Sequence, residues 1–429
     1  MRLTPKRPDS AADVAGSRAG LWRGGALVAA LVLYGLFSAP APAEVGLVEA
    51  VVGLLLVVAT GWHQPVAVFS GAVLLGPGAR RFETIGAVAL AGVLWLPLVR
   101  GAAMDWAARD MVRDVVPLFY LFMPVLLVTP LRSAWPWAVR LLATGLALAG
   151  VAFVVRWWAG AGWAFGAIGH RTMPEGALYL LNSPAVLFAA LWLPFCAVGL
   201  VWPGCAAPGM PKFTPWLRLA LAPLFSVAAV LVVAALAGTV HRLALIMIAF
   251  SGAVFLVWCA RRTLWPVVVV GLGLILLWAL VPGDPLSSAV DLVVAKSEQV
   301  GVNERANEAA AVLDQAGRSL TALVFGDGWG ALIANPAVGG WRVSYTHSFP
   351  SYLVLKTGLF GLLLVLCWLA TLGPLAVRLA RSNPPLALAA LPPVAGGLLF
   401  HTSFKYLCFG LLLTLVVLAA EEGRWTEAG

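Results

Sequence analysis

Charged side chains are scarce in this sequence, where Asp, Glu, Lys and Arg together make up 11% of the 429 residues. Soluble globular domains carry about 25% charged residues, so this composition argues against a soluble protein. Hydrophobic residues make up 61%, in repeated runs long enough to cross a hydrocarbon core of roughly 30 Å. The runs lack the alternation of barrel strands, which argues against a transmembrane β-barrel. The sequence therefore predicts an all-α, polytopic membrane protein.

Patterns of metal ligands and of paired cysteines are missing as well. The five cysteines lie in or beside apolar runs, so we expect no disulfide framework. The five histidines are widely spread, and no Asp-x-Asp or His-x-x-x-His pattern occurs, which argues against a metal site. No basic face with interleaved aromatic residues appears outside the membrane flanks, so nucleic acid is not an expected partner.

Apolar runs divide the chain into twelve predicted transmembrane helices. Residues 1–23 form a predicted cytoplasmic tail, residues 24–281 carry the first nine spans, and residues 282–349 form one long connection. Residues 350–420 carry the last three spans, and residues 421–429 form a second cytoplasmic tail. The predicted runs are 24–39, 45–60, 84–99, 114–130, 137–155, 177–202, 216–237, 241–259, 264–281, 350–373, 385–400 and 403–420.

Two segments allow more than one interpretation. The first run ends in small residues and resembles a signal peptide, but prolines crowd the cleavage position, so we favour an uncleaved first helix. Residues 65–76 are apolar but short and broken by glycine and proline. We interpret them as a re-entrant or surface helix, because a thirteenth span would disturb the charge pattern.

Basic residues predict the orientation of the bundle. Lys and Arg resist translocation, and a cytoplasmic N-terminus places most of the 28 basic residues in cytoplasmic segments. Residues 282–349 then face away from the cytoplasm, and the C-terminus faces the cytoplasm. The basic residues left on the outer side are mostly arginine, whose planar fork binds phosphate bidentately. For any one of them, snorkelling to lipid headgroups is the simpler alternative. The candidates for an anion site are Arg156, Arg171, Arg242, Arg305 and Arg342.

The long connection carries the remaining candidates. Asn303 is a predicted N-cap for a helix that runs to about Gln315, on which Arg305 and Glu308 share one face. These two residues form either a solvated ion pair or part of a site in which Arg305 binds diphosphate. His347 precedes the helix predicted from about residue 350, where it is either structural or able to take a proton from an acceptor hydroxyl.

A glycine-rich turn at residues 326–330 lies between these candidates. Gly326 and Gly328 permit positive φ angles and a close backbone approach, which predicts a tight, mobile turn at the mouth of the bundle. The turn lacks the Lys-Ser/Thr ending of a P-loop, so contact with phosphate is only weakly indicated. In a smaller outer loop, Trp157, Trp158 and Trp163 are predicted to form an interfacial belt, with sugar stacking as the alternative.

Short motifs follow one another in the second half of the chain, at residues 239–244, 303–305, 325–330, 346–349 and 355–361. In this order, with one long connection before the last spans, they resemble the O-antigen ligase and polymerase superfamily of bacterial membrane glycosyltransferases. The resemblance covers roughly residues 180–375, and the N-terminal third is similar only in hydropathy. The chain departs from the superfamily at His241, where serine is usual, and at Ser348, where asparagine is usual.

The resemblance implies a GT-C-like bundle of about twelve helices in the bacterial inner membrane. It implies that Arg242 and Arg305 bind the diphosphate of an undecaprenyl-diphosphate-linked glycan, and that His347 acts at the reacting centre. It also implies a metal-independent, inverting transfer without a cofactor, in which two arginines neutralise the leaving group. The acceptor would be a lipid A-core sugar in a ligase, another glycan in a polymerase, or a protein hydroxyl.

A polysaccharide or lipid transporter with a large gating loop is the alternative from another class of protein. Such a protein would show inverted repeats with paired broken helices near the middle of the membrane. Ionisable residues here cluster at one mouth, which favours the transferase. Within the superfamily, the single dominant loop favours a ligase by a small margin.

Overall fold

The computed structural model describes most of the chain. The described residues are 11–39, 46–69, 81–132, 137–163, 179–208, 210, 213–239, 241–280, 294, 304–400 and 402–427.

The first two thirds of the described chain are almost entirely α-helical, as the apolar runs predict. The helices are α1 (Ala11–Phe37), α2 (Leu47–Thr60), α3 (His63–Phe69), α4 (Arg81–Ala103), α5 (Ala108–Leu121), α6 (Met123–Arg132), α7 (Trp137–Gly160), α8 (Pro184–Val201), α9 (Pro215–Gly238), α10 (Arg242–Ala260) and α11 (Trp265–Leu280).

The last third adds a small mixed segment before three further helices. An antiparallel hairpin pairs Ala334 with Arg342 and is linked to two short helices that precede it. The elements are α12 (Glu304–Ala316), α13 (Leu320–Phe325), β1 (Ile333–Asn335), β2 (Trp341–Val343), α14 (Phe349–Ser382), α15 (Pro384–Leu399) and α16 (Leu407–Glu427). Within the described ranges, 3-10 turns lie at Tyr179–Asn182, Pro203–Cys205, Pro336–Val338 and Thr402–Lys405.

Six helices in the described part are individually long and apolar enough to cross a membrane. Two bent pairs raise this number to eight if each forms one span: α2 with α3, bent by 85°, and α5 with α6, bent by 43°. Each predicted run coincides with a helix or a bent pair, but twelve full crossings and a periplasmic loop stay predictions. The six are α4, α7, α8, α9, α10 and α14.

Helix α16 lies at the centre of the bundle. Residues 407–420 are all buried, and α16 packs against α5, α6, α7, α8, α14 and α15. A helix that is apolar on every side is suited to such a position. Helix α11 instead exposes most of its described apolar side chains and α10 exposes several, among them Ile246 and Phe250, as expected for the lipid-facing edge of a bundle.

Candidate functional site

Residues 326–330 form a buried junction rather than a mobile turn. Trp329 is 1% exposed, and its ring nitrogen donates to the carbonyl of Val93 at 3.0 Å. The backbone N–H groups of all five residues donate within the protein, so none is left to contact a phosphate through this backbone. Their acceptors are the carbonyls of Ala322, Leu355, Lys356 and Pro97 and, for Gly330, Asp114 Oδ2 at 2.9 Å.

The junction depends on a crossing of two backbones at Gly326 and Gly358. Gly358 has φ 65° and breaks α14 into two helical segments, and Gly326 has φ 70°. A Cβ atom on Gly358 would lie 2.3 Å from the carbonyl oxygen of Val324, and one on Gly326 would lie 2.5 Å from the backbone of Lys356. The close approach that the sequence predicts is confirmed, and it occurs between parts of the protein itself.

Asp114 joins three elements at this crossing. It is buried, on α5, and its Oδ2 accepts from the Lys356 ammonium at 2.5 Å as well as from Gly330 N–H. Lys356, which is fully buried on α14, also donates to the carbonyl of Ala331 at 2.5 Å. A buried charge persists in a protein only when it is paired and hydrogen-bonded. Asp114 and Lys356 therefore fix the position of the glycine-rich segment.

Glu308 and His347 form a pair beside this junction. Glu308 Oε2 accepts from His347 Nδ1 at 2.7 Å, and Oε1 accepts from the backbone N–H of His347 at 2.5 Å. The Glu308 side chain is 2% exposed, whereas the His347 side chain is 40% exposed. A carboxylate accepts and does not donate, so the neutral imidazole carries its proton on Nδ1 and presents a lone pair at Nε2. The pair has the geometry of an oriented general base.

Helix α12 places Arg305 next to the same pair. The helix begins at Glu304 and ends at Ala316, close to the predicted bounds, and Asn303 lies outside the described residues. Arg305 is exposed and lies one helical turn before Glu308, so the two side chains project from one face. Glu308 directs its carboxylate at His347. Of the two sequence alternatives for this face, a site that contains Glu308 fits this geometry better than a solvated ion pair.

The two departures from the superfamily pattern both fall at helix N-caps. Ser348 caps α14, and its hydroxyl accepts from the backbone N–H of Ser351 at 3.3 Å. His241 caps α10, and its Nδ1 accepts from Ala244 N–H at 3.4 Å. Serine and asparagine serve equally well at this position, so the change at Ser348 preserves the cap.

Arg242 occupies the first position of α10 and is half-buried. The preceding residue, His241, contacts Asn182 through Nε2 at 3.2 Å. Asn182 ends the turn that begins at Tyr179.

Tyr345 lies beside His347. Burial raises the pKa of Tyr345, and Tyr179 and Glu308 raise it further. Tyr345 stacks edge-on against His347, with ring centroids 5.7 Å apart. The N-terminus of α10 therefore contacts the turn that holds Tyr179, and Tyr179 acts electrostatically on Tyr345, which stacks against His347.

The structure describes two of the three remaining arginine candidates for the anion site, Arg156 and Arg342. Arg156 donates to the carbonyls of Gly35 at 2.9 Å and Ser38 at 2.7 Å, and so it caps the C-terminal end of α1. Arg342 lies exposed on β2, and Arg171 lies outside the described residues.

The tryptophan prediction is wrong for two of the three side chains. Trp157 and Trp158 are each 1% exposed and belong to the core, where α7 packs against its neighbours, so they form neither an interfacial belt nor a sugar platform. The Trp158 ring nitrogen donates to the carbonyl of Leu231 at 3.1 Å. Trp163 alone is exposed, at 47%.

Lys405 was not among the site residues predicted from the sequence. Its ammonium lies 3.8 Å from the ring centroid of Tyr352, in the turn before α16. A single signal, an ionisable residue within or beside an apolar run, would have identified Lys405, Asp114 and Lys356.

No protein-family model matches this chain, and no curated protein sequence matches it significantly. Among the described residues there is no group of three or more His, Cys, Asp or Glu side chains that could hold a metal ion. The described fold and the candidate site define an α-helical protein whose apolar helices are compatible with a lipid bilayer.

Proposed function

We propose that the protein is a membrane glycosyltransferase that moves a glycan from undecaprenyl diphosphate to an acceptor hydroxyl on the periplasmic face of the bacterial inner membrane. The observation that carries this proposal is the pair of Glu308 and His347. A buried carboxylate orients a half-exposed imidazole through two hydrogen bonds, at the edge of an apolar bundle. The motif order of the sequence supplies the substrate class.

The proposed reaction balances in a single displacement. The acceptor oxygen attacks the anomeric carbon of the donor sugar while the bond from that carbon to the diphosphate oxygen breaks, which inverts the configuration. The acceptor proton passes to His347 Nε2, and Glu308 stabilises the resulting imidazolium because its carboxylate contacts Nδ1. General-base catalysis of this kind contributes roughly 100- to 10,000-fold in rate.

In this proposal, Arg305 and Arg242 stabilise the negative charge of the leaving diphosphate. Arg305 is exposed one turn from Glu308, which suits contact with a substrate that approaches from outside the protein. Arg242 is the first residue of α10 and follows His241, which contacts Asn182. Fixed guanidinium groups stabilise a developing diphosphate charge in the way that a divalent cation does in other transferases.

The orientation is part of the proposal. Helix α4 contacts the glycine-rich segment at one end, where Arg100 donates to the carbonyl of Gly326. At the other membrane end Glu83, in the first turn of α4, pairs with Arg132 at 2.9 Å, and Arg132 contacts Glu421 of α16 at 3.1 Å. Residues predicted to be periplasmic thus contact one another, as do residues predicted to be cytoplasmic. These contacts support one common membrane surface for Arg100 and the glycine-rich segment, and the distribution of basic residues is the ground for proposing that this surface is the outer one.

Deletion of the gene in its host, scored on a lipopolysaccharide gel, tests the function. A ligase defect leaves polymer on the lipid carrier and core without polymer, whereas a polymerase defect leaves core plus one repeat. A transporter defect would leave the substrate on the cytoplasmic side of the membrane.

Complementation tests the site. His347→Gln and Arg305→Gln should fail to restore the ladder, whereas Arg261→Gln, an exposed arginine after α10, should restore it at equal expression. A wild-type ladder from His347→Gln would refute the assignment of the base.

A further inference from the structure

A cleft lies at the end of the bundle away from His347, between the first turns of α4, the second half of α14 and the end of α16. It has a volume of about 740 Å³ and opens to the surroundings. Arg81 begins α4, and Arg100 near its other end contacts Gly326. The rise of 1.5 Å per residue separates these two arginines by roughly 28 Å, about the thickness of a hydrocarbon core. The cleft is therefore at the opposite membrane surface from the candidate site.

The charged groups of the cleft leave it positive. Arg81 and Arg378 line it, and in the described part of the chain neither side chain pairs with a carboxylate. Glu421 also lines it, but Arg132 donates to both of its oxygens, at 3.1 and 3.3 Å. Arg132 also pairs with Glu83, so these three residues carry one formal negative charge against two positive charges on the cleft arginines. The cleft thus attracts an anion.

The remaining walls are apolar and continue along the helices. Phe82, Ile85 and Leu375 line the cleft near the arginines, and Cys367 and Ala370 line it further along α14. Ala370 lies two helical turns from Arg378, roughly 12 Å deeper along the axis. A small hydrated anion would leave these walls in contact with water. An acyl chain would cover them, with apolar burial stabilising the complex by roughly 0.8 kcal/mol for each methylene group.

We infer that this cleft binds a glycerophospholipid with an anionic head group. The phosphate contacts Arg81 and Arg378, and one acyl chain follows the apolar wall along α14. The observation that carries the inference is the combination of two arginines, which have no carboxylate partner among the described residues, with an adjoining apolar groove. The inference is independent of the proposed reaction, because it concerns other residues at the other membrane surface.

Native mass spectrometry of the full chain in detergent micelles tests the inference. Titration with phosphatidylglycerol should give a bound lipid that phosphatidylcholine of the same acyl chains does not give at equal concentration. Arg81→Gln and Arg378→Gln should each weaken the binding of phosphatidylglycerol roughly fivefold, as expected for one phosphate contact per arginine. Arg261→Gln, which removes an exposed arginine outside the cleft, should leave it unchanged.

Two further arms separate a lipid from a free anion. Ala370→Trp fills the exposed apolar wall without removing a charge, so it should weaken the binding of phosphatidylglycerol. Sodium phosphate in excess over the lipid should not displace it. The inference is overturned if the two lipids bind equally, if both arginine variants bind phosphatidylglycerol as the wild type does, or if inorganic phosphate displaces the lipid completely.

Discussion

Glu308 holds His347 through two of its atoms, because one carboxylate oxygen accepts from the backbone N–H and the other accepts from Nδ1. Both the position of the backbone and the plane of the ring are therefore set by one buried side chain. His347 is the proposed catalytic residue, and Glu308 is a positioning residue that acts through it.

Substitution of Glu308 should slow turnover without weakening the binding of the donor. Glu308→Gln keeps the shape of the side chain but removes the charge that stabilises the imidazolium, so kcat should fall roughly 10- to 100-fold with KM for the lipid-linked donor unchanged. Glu308→Asp, which restores the charge at a shorter reach, should recover part of the loss. A rise in KM with kcat unchanged would show that Glu308 serves in binding instead.

Substitution of Arg305 should have the opposite kinetic signature. Arg305→Gln removes an exposed cation from the proposed diphosphate site, so KM for the donor should rise by roughly 10-fold or more. Arg305→Lys should recover only part of the affinity, since an ammonium lacks the planar fork. Steady-state kinetics with varied donor measure both effects. Equal donor KM in the wild type and Arg305→Gln would remove Arg305 from the site.

The crossing at Gly358 should tolerate no side chain. Gly358→Ala forces a residue with a Cβ atom into φ 65° and against the backbone of Val324, which should lower the free energy of unfolding by about 2 kcal/mol or more. Gly373→Ala is the matched control on the same helix, because open space surrounds that position. It should be neutral or stabilising by up to about 1 kcal/mol. Thermal unfolding in detergent compares the two variants.

Asp114 and Lys356 should behave as one unit in a double-mutant cycle. Asp114→Asn or Lys356→Met alone leaves a buried charge without its partner and should cost about 3–5 kcal/mol of stability. The double variant should cost less than the sum of the two. The exposed pair of Asp110 and Arg113, 2.8 Å apart on the same helix, is the control and should couple by less than about 1 kcal/mol. Strict additivity at Asp114 and Lys356 would contradict the structure.

The helices were predictable from the sequence because each apolar run is long and has no competing pattern. The start of α12 next to Asn303 and the close approach at Gly326 were also predictable, since both depend on local backbone chemistry. The contact between Glu308 and His347 was not predictable from the sequence. Arg305 is a local neighbour of Glu308 on the same helix, whereas His347 is 39 residues away and is brought to Glu308 by the fold.

The error over the tryptophans has a clear physical origin. Trp157 and Trp158 were expected at a membrane surface because tryptophan is frequent there. Helix α7 instead packs deeply beside α1 and α9, so the preceding residue Arg156 caps α1 and the indole rings fill the core. Composition alone cannot distinguish a buried end of a helix from an exposed one.

The buried junction at residues 326–330 also constrains how the protein is made. Its acceptors lie on α4, α5, α13 and α14, so the segment has no complete set of partners until the helix that follows it has joined the bundle. A nascent chain arrested before α14 would lack the acceptors that Leu355 and Lys356 supply. The junction is therefore completed only after α14 has been made and packed.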